Sequence, residues 1–177
     1  MDIFLKDDYG ILKTTCPGNC YIPFLLLALE LTKTGNILEL GCGRGSTPFL
    51  KSYSELNKRN LYSYDFNKEW ADKFPGAISV NGDWENSDYR DRDYSVALID
   101  ESPAAHRGKA IIELIDKIDI FVAHDTEPKW ENSYKMSNGW SLYKYVSHYK
   151  RFYIWSTIFS NKYDITQYES INGVKIK

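Results

Sequence analysis

The stretch Asn36-Ile37-Leu38-Glu39-Leu40-Gly41-Cys42-Gly43-Arg44-Gly45-Ser46-Thr47 constrains this chain more than any other. An apolar run of strand type, carrying one acid, gives way to three glycines within five positions and then to a Ser-Thr pair. Glycines at alternate positions permit positive φ and remove the Cβ atoms that would keep a ligand away from the main chain. The pattern is that of a first β-strand turning sharply into a helix, with its backbone open to a ligand.

The rest of the chain is long enough to build a sheet around that turn. At 177 residues and 43% hydrophobic content, it fits one domain, 1–177, with a substantial core. A net charge of −2 offers no global field for nucleic acid or an acidic membrane. The charge is uneven, however: residues 1–128 carry a net −7 and residues 129–177 a net +5. Cys16, Cys20 and Cys42 are odd in number and form no disulfide framework. The Cys16/Cys20 spacing suits a metal pair, but no second Cys/His pair stands at zinc-site spacing, so they read as ordinary thiols. A reducing, cytoplasmic setting follows. The N-terminus is too acidic for a signal peptide, and the apolar stretch 22–31 is too short to span a membrane.

Residues 1–20 read as an irregular arm. A helix follows, with Pro23 near its start, lying against the sheet or against a partner; in the second case 22–31 would be a homo-oligomer surface. Strand Ile37–Leu40 leads through the glycine turn to a helix at 46–58. Strand Leu61–Asp65, a helix at 67–74 and a short strand at 77–81 come next. A strand at 94–100, a helix at 106–118 and a strand at 119–125 are each marked by a clear apolar pattern. A helix is predicted over 137–148, then strands over 151–160 and 164–170, joined by Asn161-Lys162 as an antiparallel pair. Alternating strands and helices give an α/β, Rossmann-like doubly wound sheet, mostly parallel with an antiparallel C-terminal strand.

In such a sheet, ligands bind outside the carboxyl ends of the strands. Four acids stand at those ends: Asp65, Asp83, Asp100 and Asp125. One such acid is an ordinary turn or cap residue; four in series after a glycine-rich turn are not explained by caps alone. The turn does not complete G-x-G-x-x-G, because Ser46 holds the third place, and it lacks the Lys-Ser/Thr pair of a phosphate-binding loop.

Leu38-Glu39-Leu40-Gly41-Cys42-Gly43 resembles the first motif of the class I S-adenosylmethionine-dependent methyltransferases. The resemblance covers most of residues 20–128. It implies S-adenosyl-L-methionine as cofactor, held by Glu39, Gly41, Cys42, Gly43, Ser46 and Thr47. It also implies Asp65 with Phe66 at the ribose, Asp83 with Trp84 at the adenine, and Asp100 between the methionine end and the substrate. Asp65 follows Gly43 by 22 residues, and its two carboxylate oxygens suit a vicinal diol. The segments Val96-Ala97-Leu98-Ile99-Asp100, His106-Arg107 and Val122-Ala123-His124-Asp125-Thr126-Glu127 look like small, mostly uncharacterised bacterial and viral members. They are also similar to the group that methylates sugar or polyketide hydroxyls.

Methyl transfer to a hydroxyl needs alignment and a base. The candidates are Asp100, His106, His124 and Asp125. His106 opens the next helix and has an intrinsic pKa suited to neutral pH, and the catalytic set chosen is Asp100, His106 and Asp125. His124 reads as a core histidine. A Mg²⁺-assisted version, with Asp100 and Asp125 as ligands, is the minority reading: Thr126 stands where a further ligand is usual, and Glu127 would substitute one position late. Arg107 and Lys109 read as anchors for an anionic substrate group or as solvated helix residues. Rings near Trp130–Tyr134 suit stacking on a sugar or planar acceptor. The leading expectation is O-methylation of a small molecule or glycan. Two alternatives stand beside it. One is a non-catalytic cofactor-binding partner module. The other is a nucleic-acid methyltransferase, disfavoured by the acidic front of the chain and the absence of an Asn/Asp-Pro-Pro-Tyr motif.

Overall fold

The computed structural model describes residues 19–150, 153–171 and 174–175; the expected arm and Cys16 lie almost entirely outside them. Seven strands make one sheet: β1 (Ile37–Leu40), β2 (Leu61–Asp65), β3 (Ile78–Ser79), β4 (Tyr94–Ile99), β5 (Ile118–His124), β6 (Tyr145–Tyr149) and β7 (Ser156–Ser160). Their order is β3-β2-β1-β4-β5-β7-β6. β3 through β5 run parallel, and β7 inserts antiparallel to both β5 and β6. The chain winds outward from β1 to β3 and then returns to β4 on the other side of β1. The loops after β1 and β4 therefore diverge, and a crevice opens at their carboxyl ends.

Alternation along the strands divides the core. Ile37, Val96, Leu98, Ile120 and Val122 face helices α1 (Ile22–Thr32) and α2 (Ser46–Leu56). Their neighbours Leu38, Leu40, Ala97, Ile99, Phe121 and Ala123 pack on the opposite side, which takes α4 (Ala104–Glu113); α3 (Lys68–Ala71) is a single turn after β2. Two further short helices, α5 (Glu131–Tyr134) and α6 (Met136–Trp140), lie against α4.

The apolar helix lies against the sheet, as the first of its two readings has it. α1 is apolar on every side, and such a helix is stable only when enclosed. Nine of its eleven residues are buried, Glu30 and Leu31 being partly exposed. Each large side chain so enclosed is worth about 2 kcal/mol. Its apolar surface is thus used against β4, β5 and β7.

The C-terminal third differs from expectation. The helix predicted over 137–148 is the one-turn α6 followed by β6, whose aromatic and β-branched residues pair with β7 from Tyr145↔Ser160 to Tyr149↔Ser156. The antiparallel pair is therefore β6–β7, not two strands joined at Asn161-Lys162. The strand expected over 151–160 begins at Ser156, and residues 151 and 152 lie outside the described ones. The strand expected over 164–170 is instead a 3-10 turn at Ile165–Gln167, because the Asp164 carboxylate accepts from the Thr166 N–H and hydroxyl. A small hairpin, β8 (Ser170–Ile171) with β9 (Val174–Lys175), follows.

Candidate active site

The glycine turn sits at the point where the sheet reverses. Gly41 has φ +91° and lies against the end of β4: a Cβ there would come within 2.4 Å of the Asp100 carbonyl oxygen. Only glycine allows this approach, so the turn and the β4 terminus form one surface. Beyond it, the Gly43 N–H donates to Thr47 Oγ1 (2.9 Å), and the Thr47 hydroxyl donates to Glu39 Oε1 (3.1 Å). Glu39 is fully buried, and its Oε2 has no hydrogen bond. Burial, only partly offset by the hydroxyls of Ser46, Ser63 and Thr47, pushes its pKa up to about 7. Asp65, at the end of β2, accepts from Cys42 N–H on Oδ2 (2.9 Å) and from Asn67 N–H on Oδ1 (2.8 Å). Glu39, Gly41, Cys42, Gly43, Ser46, Thr47 and Asp65 thus form one connected group, as expected from their positions.

Asp83 and Trp84 do not join it. Asp83 is exposed, and its carboxylate accepts from the main-chain N–H groups of Glu85 and Asn86 and from Asn86 Nδ2. These bonds close its own loop, and the Asn86 amide leads in holding its pKa below the usual range. Trp84 is buried; its indole N–H donates to the Ser102 carbonyl (2.7 Å), and its ring stacks on His106 at 4.9 Å. Phe66 packs beside it at 6.4 Å and is partly exposed. The tryptophan expected to stack on a ligand is occupied by the protein.

His106 departs furthest from expectation. It is 6% exposed, with Nδ1 3.0 Å from Glu101 Oε1 and Nε2 3.2 Å from the Tyr89 hydroxyl. Glu101 is wholly buried. Both imidazole nitrogens are within hydrogen-bond distance of buried protein groups.

His124 is buried, as a core histidine would be, but its ring faces the acids. The last residue of β5, it points Nδ1 toward Asp100 Oδ1 at 3.3 Å and Asp125 Oδ1 at 3.7 Å. Tyr21 lies edge-on to its ring at 5.1 Å, with its hydroxyl hydrogen-bonded to Ser46. Burial disfavours the imidazolium, but the charge of the nearby Asp100 outweighs this and raises the pKa to about 10. Asp125 has left-handed backbone (φ 56°), which turns the chain back after β5. Burial first, and then the charges of Asp100 and Glu127, raise its pKa more than the His124 and Arg107 charges lower it. Asp100 and Asp125 side chains remain 27% and 23% exposed, so both meet solvent.

Arg107 completes the cluster. Its guanidinium lies 3.0 Å from Asp100 Oδ1 and 3.4 Å from Asp125 Oδ2, and its carbon sits 4.4 Å from the Tyr134 ring centroid. It is not a free anchor for a substrate anion. Lys109 is an exposed partner of Glu85 and Glu113. Beyond Tyr134, Trp130 stacks at 5.8 Å and is 40% exposed, its N–H held by Glu127 Oε1. Sequence reasoning named His124 as a candidate base and Arg107 as a substrate anchor but did not join them to the acids; the available signal was the place of His124 beside Asp125 at the end of β5.

This architecture, a seven-stranded α/β sheet with one antiparallel strand and its glycine turn at the switch point, is the class I methyltransferase fold. The delta-N METTL16 MTase domain superposes with a TM-score of 0.57 at 11% identity, over 89% of this chain and 92% of that one. Precorrin-6y C5,15-methyltransferase from Geobacter metallireducens GS-15 gives 0.56 at 13% identity, over 77% and 85%. Monomeric WbdD gives 0.48 at 17% identity, and there the matched region spans 76% of this chain but 38% of the other. No protein-family model and no curated protein sequence matches the chain.

Proposed function

We propose that this chain is an S-adenosylmethionine-dependent methyltransferase that methylates a hydroxyl of a small molecule or glycan. The observation that carries the reading is the contact of Gly41 with the Asp100 backbone. It sets a ligand-binding turn directly against a cluster of two carboxylates, an imidazole and a guanidinium.

The residues present fit the cofactor. α2 begins without a side-chain cap, so its positive end faces the turn with donors to spare for a carboxylate. Each Asp65 oxygen accepts one hydrogen bond from the protein, which leaves lone pairs for a ribose diol. When bound, the cofactor supplies a methyl group activated by its sulfonium charge. The chain's own work is to align the acceptor and take its proton. Asp125 is the base in this reading, because its burial favours the protonated form while part of its surface stays open. Asp100 faces both the turn and His124, and holds the imidazolium in place. The stacked Trp130–Tyr134 pair forms a wall on which a sugar or planar acceptor would lie.

The test is thermal stabilisation by S-adenosylmethionine and by its demethylated product, followed by transfer of labelled methyl to a panel of hydroxyl acceptors. Stabilisation that is lost in Asp65→Ala supports the cofactor site. No stabilisation by either compound would remove the reading.

A further inference from the structure

Asp100, His124 and Asp125 place three metal-ligating atoms within 4.8 Å of one another, which is the composition of a divalent-cation site. A cation already stands there. The Arg107 side chain is 7% exposed and contacts both acids. Its Nε donates to the Glu101 carbonyl (2.8 Å), Nη1 to the His124 carbonyl (3.1 Å) and Nη2 to the Asp100 carbonyl (3.2 Å). Three main-chain carbonyls, two carboxylates and the Tyr134 ring therefore fix the guanidinium, and it cannot lose its proton at any working pH.

The remaining oxygens are committed elsewhere. Thr126 Oγ1 accepts from the Thr157 hydroxyl at 2.8 Å. Glu127 accepts from Trp130 Nε1 at 3.1 Å and from Trp155 N–H at 3.0 Å. Mg²⁺ wants near-octahedral oxygen ligation at about 2.0–2.1 Å. Here it would meet a fixed positive group already bonded to both acids, so the residues present do not fit it.

We propose that Arg107 replaces the divalent cation: it is a positioning residue that pins Asp100 to Asp125, and the site works without metal. Only the catalytic consequence rests on the proposed methyl transfer; the exclusion of metal does not.

The test is titration of the whole chain with Mn²⁺, a Mg²⁺ surrogate whose free form is read by electron paramagnetic resonance. Wild type and Asp100→Asn are expected to give the same isotherm. A one-equivalent site in wild type that Asp100→Asn removes would overturn the proposal. Arg107→Gln is expected to gain Mn²⁺ affinity by at least about tenfold, a gain lost again in the Arg107→Gln/Asp100→Asn double variant and absent from Arg107→Lys, which keeps the charge. A folded Arg107→Gln that gains nothing would also overturn it. Should that variant not fold, the wild-type isotherm decides alone. Cofactor binding is read separately by thermal shift, so its failure would sink the methyltransferase reading and leave the role of Arg107 standing.

Discussion

His124 Nδ1 lies 3.3 Å from Asp100 Oδ1, with both side chains at the carboxyl edge of the sheet. The imidazolium is held there against burial by the acid, and its pKa stands at about 10 against an ordinary 6.5. A folded-state pKa raised in this way gives stability that is complete below about pH 6.5 and disappears as pH rises through about 10. Wild type should therefore exceed His124→Gln by on the order of a few kcal/mol at pH 6. That advantage should shrink steadily toward pH 10. Urea denaturation of both proteins across this range checks it, and a pH-independent difference would count against the ion pair.

Glu39 is the converse case. Its pKa is raised to about 7 in the folded protein by burial, so the native state holds a proton between about pH 4.5 and 7 that the unfolded chain releases. Stability contributed by this group falls as pH rises through that window, because above it a buried charge must be maintained. Glu39→Gln should be more stable than wild type at pH 8, by up to on the order of 3 kcal/mol, and the gain should fade at pH 4.5. Melting temperatures at the two pH values decide the matter.

The parallel half of the sheet was legible because its strands are continuous apolar runs that end in acids or glycine, and burial on both faces leaves them no alternative. Tyr145–Tyr149 was not, since its order of aromatic and polar residues suits a helix face as well as a strand; pairing with β7 decides it. The site was half legible. Asp100 and Asp125 follow from strand ends, but His106 and Arg107 are adjacent on α4 and point about 100° apart. One reaches Glu101 in the core and the other reaches the acids. Sequence order cannot tell which neighbour faces which way. His124 is buried as a core histidine is, but its position at the last rung of β5 sets its ring against the acids.

Gly41 and Gly76 share nearly the same left-handed φ, +91° and +92°. A Cβ at Gly41 would overlap the Asp100 carbonyl, whereas one at Gly76 would meet nothing within 4 Å. Gly76→Ala should cost only the backbone strain, about 1–2 kcal/mol. Gly41→Ala must also push β4 and the turn apart, and should cost several times as much and abolish cofactor stabilisation. Equal melting temperatures for the two variants would show that the contact is softer than its geometry implies.

His106→Ala should behave as a core lesion. It leaves the Glu101 carboxylate and the Tyr89 hydroxyl without this partner, and stranding a buried polar group costs about 1–3 kcal/mol or more. Below its lowered melting temperature, the variant should bind the demethylated cofactor as wild type does. A stable His106→Ala protein with normal binding and no turnover would return His106 to the role of base.

Asp125 separates conformation from chemistry. Its left-handed backbone, φ 56°, suits asparagine and aspartate but strains a β-branched residue. Asp125→Asn should therefore keep the fold and the affinity for the demethylated cofactor, while removing the only change that matters to a base, the capacity to accept a proton. Turnover on any acceptor used by wild type should fall by about 10²–10⁴ in kcat, with little change in KM. Asp125→Val removes the same carboxylate and also forces the strained φ, so it should lose melting temperature as well. If Asp125→Asn turned over at the wild-type rate, Asp100, the other partly exposed carboxylate of the cluster, would be left as the proton acceptor.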